Sequence, residues 1–196
     1  MKCHKLRNFF FIFLVFSLSN SARGNLVSSF DASFGFTSMN LSTNGYSKSL
    51  SGVSLIETNY LLWLNSISGA VVISFSELLQ GEGKILPMTQ LGFGYRYYPI
   101  GFNGARSILD QGVVGRIWKS TPFLGLNINL VNISVDAFNA SLIAIAPRFG
   151  VELPLTTSLF AQASLVFNSA SSTGAKETQV TYEGFSALLG VVFTDF

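Results

Sequence analysis

The sequence has almost no cysteine or histidine and carries little charge. Its single Cys and single His are Cys3 and His4, and Asp, Glu, Lys and Arg make up only 11% of the 196 residues, against about 25% in average globular proteins. Hydrophobic residues make up 48%, which excludes a disordered chain. The net charge of +2 does not indicate the clustered basic face of a nucleic-acid-binding protein, so we expect no nucleic-acid partner. A membrane protein or an unusually apolar all-β domain remains.

Residues 1–24 have the features of a cleaved export signal. Three basic residues precede an uninterrupted apolar run at 9–16, and the small polar stretch 17–24 suits cleavage. We place the cut after Gly24, with a cut after Ala22 as the alternative. A short membrane anchor is the other interpretation, but the run is shorter than the roughly 20 residues that a spanning helix needs.

Cleavage would change the chemistry available to the remaining chain, residues 25–196. Four of the twelve basic residues would leave, so that eight basic and ten acidic residues would remain and the net charge would fall to −2. Cys3 and His4 would leave too, and with His goes the commonest general base and a common metal ligand. We therefore expect no enzyme activity, no catalytic residue, no metal and no cofactor.

Strict alternation of apolar with small or polar residues predicts β-strands. It runs through 30–37, 90–97 and 124–130, where a strand would place every large apolar side chain on one face and a helix would scatter them. The uncharged stretches 58–76 and 153–175 are long enough for membrane helices, but turn formers interrupt them. The side chains on the polar face are small, as the interior of a narrow barrel would require.

The pattern predicts an all-β, antiparallel up-and-down transmembrane barrel, most simply of eight strands. Polar, Gly-rich segments at 39–49, 78–87 and 170–181 are predicted as long loops, and 65–67 and 153–155 as tight turns. Long loops on one side and short turns on the other are typical of outer-membrane barrels. The predicted strands are 26–38, 50–64, 68–77, 88–99, 121–133, 138–152, 156–169 and 182–196.

Residues 100–120 do not fit this arrangement, because they fall where a short periplasmic turn is expected. Three interpretations are open: a plug, a short periplasmic helix, or two extra short strands that would raise the count to ten. We favour an insertion within the 25–196 barrel, and a periplasmic partner or cell-wall contact would then lie there.

Aromatic and charged residues complete the predicted site. Rings near the strand ends of one side are expected at a membrane interface, where amphipathic aromatics prefer to lie. Charged residues on the small face are expected inside the barrel, as a polar network that blocks a pore or as a narrow ion path; their burial requires pairing. The predicted interface rings are Tyr60, Trp63, Tyr95, Tyr97, Phe123 and Phe149. The predicted interior charges are Asp31, Glu57, Arg96 and Arg148.

With these features the chain resembles the small eight-stranded outer-membrane barrels of Gram-negative bacteria, of the OmpA, OmpX and OmpW type. Arg96-Tyr97-Tyr98 closes the fourth predicted strand, residues 121–125 open the fifth, and the chain ends in Phe196. The resemblance implies location in the cell outer membrane, outer-membrane lipid and lipopolysaccharide as surroundings, and recognition of Phe196 by the barrel-assembly machinery.

Three functions follow as hypotheses. The first is a non-enzymatic outer-membrane barrel with a structural or surface-interaction role, with passive passage of small solutes as an extra; its loop tips would be 44–46 and 171–176. The second is lateral transport of small hydrophobic compounds, as the OmpW resemblance implies, with Val53 and Leu55 lining an opening. The third is a soluble periplasmic ligand binder of lipocalin-like shape, in which the apolar face would point inward.

Overall fold

The computed structural model describes the greater part of the chain after residue 27. The described residues are 28–43, 46–64, 69–79, 85–100, 120–135, 138–156, 158–172 and 180–195. The predicted signal at 1–24, most of the predicted insertion, and Phe196 lie outside them. In the described part of the chain, no helix is long and apolar enough to cross a bilayer.

Eight antiparallel strands form a closed barrel in chain order. The ring closes where β1 pairs with β8, and β4 pairs directly with β5 from Tyr97 opposite Leu124 to Met88 opposite Ile133. Closure pairs the backbone of both edges, so none of the eight described strands has a free edge. The eight-stranded prediction is confirmed, and the direct β4–β5 pairing leaves no place in the ring for two more strands. The strands are β1 Ser28–Thr43, β2 Tyr46–Leu64, β3 Gly69–Leu79, β4 Ile85–Tyr97, β5 Thr121–Val135, β6 Phe138–Pro154, β7 Leu159–Ser171 and β8 Thr181–Asp195.

The alternation places large apolar side chains on the outside of the barrel. On β5, for example, Ile128 is 58% exposed whereas its neighbours Asn127 and Asn129 are buried in the interior. We call this outward-facing apolar surface the belt. Among its residues are Phe34, Phe36, Leu91, Phe93, Leu124, Leu126, Ile128, Leu130, Ile143, Ile145, Phe149, Leu165, Phe167, Phe185 and Leu189.

The two ends of the barrel differ from the predicted pattern of long loops and short turns. At the end where β1 joins β2, which we call the hairpin end, strand pairing continues to Thr43 opposite Tyr46 and leaves only two residues between the strands. The predicted loop at 39–49 is therefore wrong, because most of it is strand. The longest connection, from Tyr97 to Thr121, lies at the opposite end, the turn end.

Polarity reverses between the belt and the hairpin end. On β1 the outward residues change from Phe34 and Phe36 to Asn40, while the inward residues change from Asp31 to Leu41, which is buried. The other strands that reach this end show the same change. We call this part of the barrel the collar: residues 38–43, 46–51, 77–79, 85–89, 131–135, 138–142, 168–171 and 181–184.

Candidate functional site

The barrel interior near the turn end contains a buried ionic network centred on Arg96. Its Nη2 atom lies 3.0 Å from Asp31 Oδ2 and its Nη1 atom lies 2.9 Å from Glu152 Oε1. All three side chains are at most 1% exposed. Arg96 Nη1 also donates to Gln162 Oε1 at 3.0 Å, and the Tyr98 hydroxyl donates to Glu152 Oε1 at 2.9 Å. One guanidinium therefore joins strands β1, β4, β6 and β7 across the interior.

A second ion pair, between Arg148 and Glu57, lies beside the first. Asn59 connects the two, because its Nδ2 donates to Asp31 Oδ2 at 3.2 Å and to Glu57 Oε1 at 2.6 Å. The structure thus places Asp31, Glu57, Arg96 and Arg148 in the interior and brings them into one network. Five strands contribute inward-pointing charged or amide side chains to the network, so the network can cross-link these strands through the barrel interior.

Glu152 is an acidic member of this network that the sequence analysis missed. It lies at the last position of the predicted sixth strand and shares the inward alternation of Arg148, so the alternation could have identified it. It brings the network to three carboxylates and two guanidinium groups. Asn59, Tyr98 and Gln162 were missed as well, because an uncharged side chain gives no signal of its own in a strand pattern.

Aromatic rings close the turn end of the interior. Phe123 is fully buried, and the Arg96 Cζ atom lies 4.3 Å from the centre of its ring. Tyr98 packs against Trp63 and Phe123, with ring centres 5.0 and 5.8 Å away and the ring planes tilted. The Trp63 Nε1 atom donates to Ser29 Oγ at 2.7 Å. These rings leave the guanidinium covered on the side towards the turn end.

Trp63 and Phe123 are therefore not interface rings, which corrects the prediction for both. The alternation that points Glu57 inward also points Trp63 inward, and the alternation that places Leu124 in the belt places Phe123 inside. The four other predicted rings lie on the outward register. Tyr97 and Phe149 are exposed, Tyr95 is partly exposed, and Tyr60 is buried by its surroundings.

A layer of amide and hydroxyl side chains lies above the ionic network, towards the hairpin end. Asn129 Nδ2 donates to Gln90 Oε1 at 3.2 Å and to Asn168 Oδ1 at 3.3 Å, and Asn127 Nδ2 donates to Ser74 Oγ at 3.3 Å. Glycine lets this layer form: a Cβ at Gly92 would lie 2.1 Å from Asn129 Oδ1. The space beside the small inward-facing residues predicted from the sequence is thus filled by side chains from neighbouring strands.

Most of the described inward side chains of the collar are apolar and packed, with Lys48 and Asn168 among the exceptions. The apolar side chains form one continuous cluster and are nearly inaccessible to solvent. Tyr182 joins this cluster to the amide layer, since its hydroxyl accepts from Gln90 Nε2 at 3.3 Å. The buried side chains of the collar are Met39, Leu41, Leu78, Met88, Val131, Ile133, Leu142, Ala170 and Tyr182.

The described residues offer little for metal or covalent chemistry. They include neither His nor Cys, and no group of three acidic, His or Cys side chains among them could hold a metal ion. The charged side chains of the interior instead form ion pairs with one another. What the arrangement can do chemically is hold strands together and exclude water.

Neither a protein-family model nor a curated protein matches the chain, but solved structures do. The outer membrane protein OprG from Pseudomonas aeruginosa is 14% identical, and the match covers 88% of this chain and 98% of OprG with a TM-score of 0.50. The N-terminal β-barrel domain of Pseudomonas aeruginosa OprF is also 14% identical, with 83% and 97% covered and a TM-score of 0.50. Together with the closed ring of eight strands, these similarities show that the chain has the fold of the small eight-stranded outer-membrane β-barrels.

Proposed function

We propose that this protein is a non-enzymatic integral outer-membrane barrel with a structural or surface-interaction role. The observation that carries the proposal is the outward belt, which ends where the outer surface becomes polar and the interior becomes apolar. A barrel in water would bury its apolar face throughout, and soluble monomers rarely expose so large an apolar surface. The belt suits lipid, and the collar, apolar inside and polar outside, suits water.

The packed interior supports a structural role over passage of solutes. From the aromatic rings through the ionic network to the collar cluster, the interior side chains described above are buried. Eight strands enclose a space that side chains just fill. Opening a path would require separating Arg96 from two carboxylates in a dry interior, which is costly. Of the two interpretations of the interior charges, the pore-blocking network therefore suits this geometry better than the ion path.

The geometry favours neither alternative function. Lateral transport would need an apolar opening at Val53 and Leu55; the Val53 side chain lies outside the described residues, and Leu55 is packed in the interior cluster. A lipocalin-like binder would need the apolar face of the strands to point inward around a ligand. In the belt that face points outward.

A pair of arginine substitutions on one strand tests the proposal. Ile128 and Asn132 both point outward from β5, one in the belt and the other in the collar. In phosphatidylcholine vesicles, Ile128→Arg should lower the free energy of unfolding by about 2–4 kcal/mol, as expected for Arg on the lipid face near mid-bilayer, and Asn132→Arg by about 0–1 kcal/mol. Urea unfolding of the full chain, followed by tryptophan fluorescence, measures both.

The same pair separates the membrane barrel from the soluble binder. If the belt faces water, both arginines are solvated, and both substitutions should change stability by about 0.5 kcal/mol or less. Equal small effects, together with a chain that stays in solution without detergent or lipid, would refute the proposal.

A further inference from the structure

The two hairpins on opposite sides of the collar have related sequences. Residues 39–50 (MNLSTNGYSKSL) and 131–142 (VNISVDAFNASL) align without a gap, with the same Asn, Ser, Ser and Leu at four positions and similar residues at most others. The first segment forms the β1–β2 hairpin and the second the β5–β6 hairpin. Because two strands lie between the hairpins on each side of the ring of eight, they face opposite directions from the barrel.

Each hairpin contributes to a row of polar side chains that runs across four neighbouring strands on the outer surface. In each row every residue is the cross-strand partner of the next. With strands about 4.8 Å apart, a row is about 14 Å long, which is comparable to a short oligosaccharide. The first row is Ser169, Glu183, Asn40 and Ser49, and the second row is Glu77, Thr89, Asn132 and Ser141.

The asparagine of each row has its amide group set by the same hydrogen bond. Ser49 Oγ donates to Asn40 Oδ1 at 2.6 Å, and Ser141 Oγ donates to Asn132 Oδ1 at 2.7 Å. All four side chains are exposed. The bond is made to the amide oxygen, so the amide N–H groups point away from the serine as donors. Each row therefore offers fixed amide donors beside a carboxylate and hydroxyl groups.

The charge of the row residues themselves favours sugar over phosphate as a ligand. Each row contains one glutamate, and the only cationic side chains among the described residues are Lys48, Arg96 and Arg148. Two of these are buried in the interior, and Lys48 lies on the inward register of the collar. Arg and Lys are the usual partners of phosphate. Carboxylate, amide and hydroxyl groups instead match the donors and acceptors of uncharged sugar hydroxyls.

We infer that the two rows are equivalent binding sites for the uncharged sugar units of glycolipids in the leaflet that borders the collar. The rows begin where the belt ends, which is the level of the lipid headgroups. The inference rests on the proposed membrane role and specifies the partner of its outer surface. Two sites on opposite faces would let the barrel hold a ring of glycolipid around itself.

The test uses the full chain in nanodiscs, with the side-chain amide signals of Asn40 and Asn132 observed by NMR. The probe is digalactosyl diacylglycerol, a glycolipid with two neutral sugars and no phosphate, titrated into phosphatidylcholine. We expect both amide signals to shift in a saturable manner, with two sites per barrel. Phosphatidylglycerol, which has phosphate and no sugar, should leave both signals unchanged.

Matched variants assign the binding to the rows. Asn40→Ala should abolish one of the two sites and leave the Asn132 signal responsive, and Asn132→Ala should do the converse. Ser158→Ala, exposed at the turn end, should keep both sites. Both asparagine side chains lie on the surface, so the variants should remain folded.

Other outcomes would overturn the inference. Unshifted amide signals in an inserted barrel would show that the rows do not bind sugar. Shifts produced by phosphatidylglycerol, or only by lipopolysaccharide and abolished by EDTA, would assign the rows to phosphate held through divalent cations. A chain that fails to insert into phosphatidylcholine nanodiscs would instead refute the proposed membrane role, so the two failures are distinguishable.

Discussion

Removing Arg96 should destabilise the barrel more than removing its charge together with the charges of both its partners. Arg96→Met takes away the guanidinium that contacts Asp31 and Glu152, the only one to do so among the described residues; the two carboxylates are 0% and 1% exposed. The methionine keeps an apolar chain against Phe123. The two carboxylates, however, are left in a dry interior without a cation. Breaking a buried ion pair from one side costs about 3–5 kcal/mol, and we expect a loss in this range.

The triple variant Asp31→Asn, Arg96→Met and Glu152→Gln removes the charge of Arg96 and of both its carboxylate partners with little change in side-chain size. Replacing a complete buried ionic group by hydrophobic residues of similar volume is often neutral or stabilising, and Asn, Met and Gln likewise leave no unpaired charge in this part of the interior. We therefore expect the triple variant to lose less stability than Arg96→Met alone, with a residual of about 1 kcal/mol from weakened hydrogen bonds. The matched comparison is Arg148→Met with and without Glu57→Gln, which tests the neighbouring pair in the same manner.

Urea unfolding in phosphatidylcholine vesicles measures these differences, because Trp63 lies in the interior and reports on its opening. The coupling energy is the difference between the loss in the triple variant and the sum of the losses in the three single variants. Strong non-additivity is expected of groups in direct contact. If the single losses add up to the loss of the triple variant, the charged groups are not coupled, and the conclusion that Arg96 cross-links four strands is refuted.

Two further predictions concern the barrel wall and the connection at its turn end. Gly94→Ala should cost about 1–3 kcal/mol in the same unfolding assay, because its Cβ would lie 2.3 Å from the Leu126 carbonyl oxygen. Gly125→Ala is the control: its Cβ would meet nothing nearer than 3.4 Å, so it should change stability by about 1 kcal/mol or less. Equal costs for the two variants would contradict this account of the packing. Deleting residues 103–116 should leave the barrel able to fold, since β4 and β5 pair directly and residues 98–102 and 117–120 still link them. The difference in mobility between unboiled and boiled samples on a denaturing gel checks this. Loss of that difference would show that the segment belongs to the folded barrel.

The alternation of residues in the belt could be predicted from the sequence because it is a local property. A strand has a period of two whatever it pairs with, so 90–97 and 124–130 indicate their outward faces without knowledge of their neighbours. The inward position of the four predicted interior charges follows from the same period. The period also implied that Trp63 and Phe123 point inward, and placing them at the interface gave too much weight to their position near strand ends.

The strand boundaries at the hairpin end were predicted wrongly for a physical reason. An apolar outer face identifies a strand only within the belt. In the collar the outer face is polar and the apolar residues point inward, so segment 39–49 has the composition of a loop. Only the pairing of β1 with β2 shows that it is strand.

The partners of the interior charges were decided by the tertiary structure alone. Arg96 and Asp31 are 65 residues apart in sequence, and Arg148 and Glu57 are 91 apart. Alternation states that each points inward, but ring closure, stagger and strand tilt determine which side chains meet across the interior. The two polar rows are of the same kind, because each joins side chains from four strands. The first row needs the β1–β8 pairing that closes the ring, and the second needs the β4–β5 pairing across the longest connection.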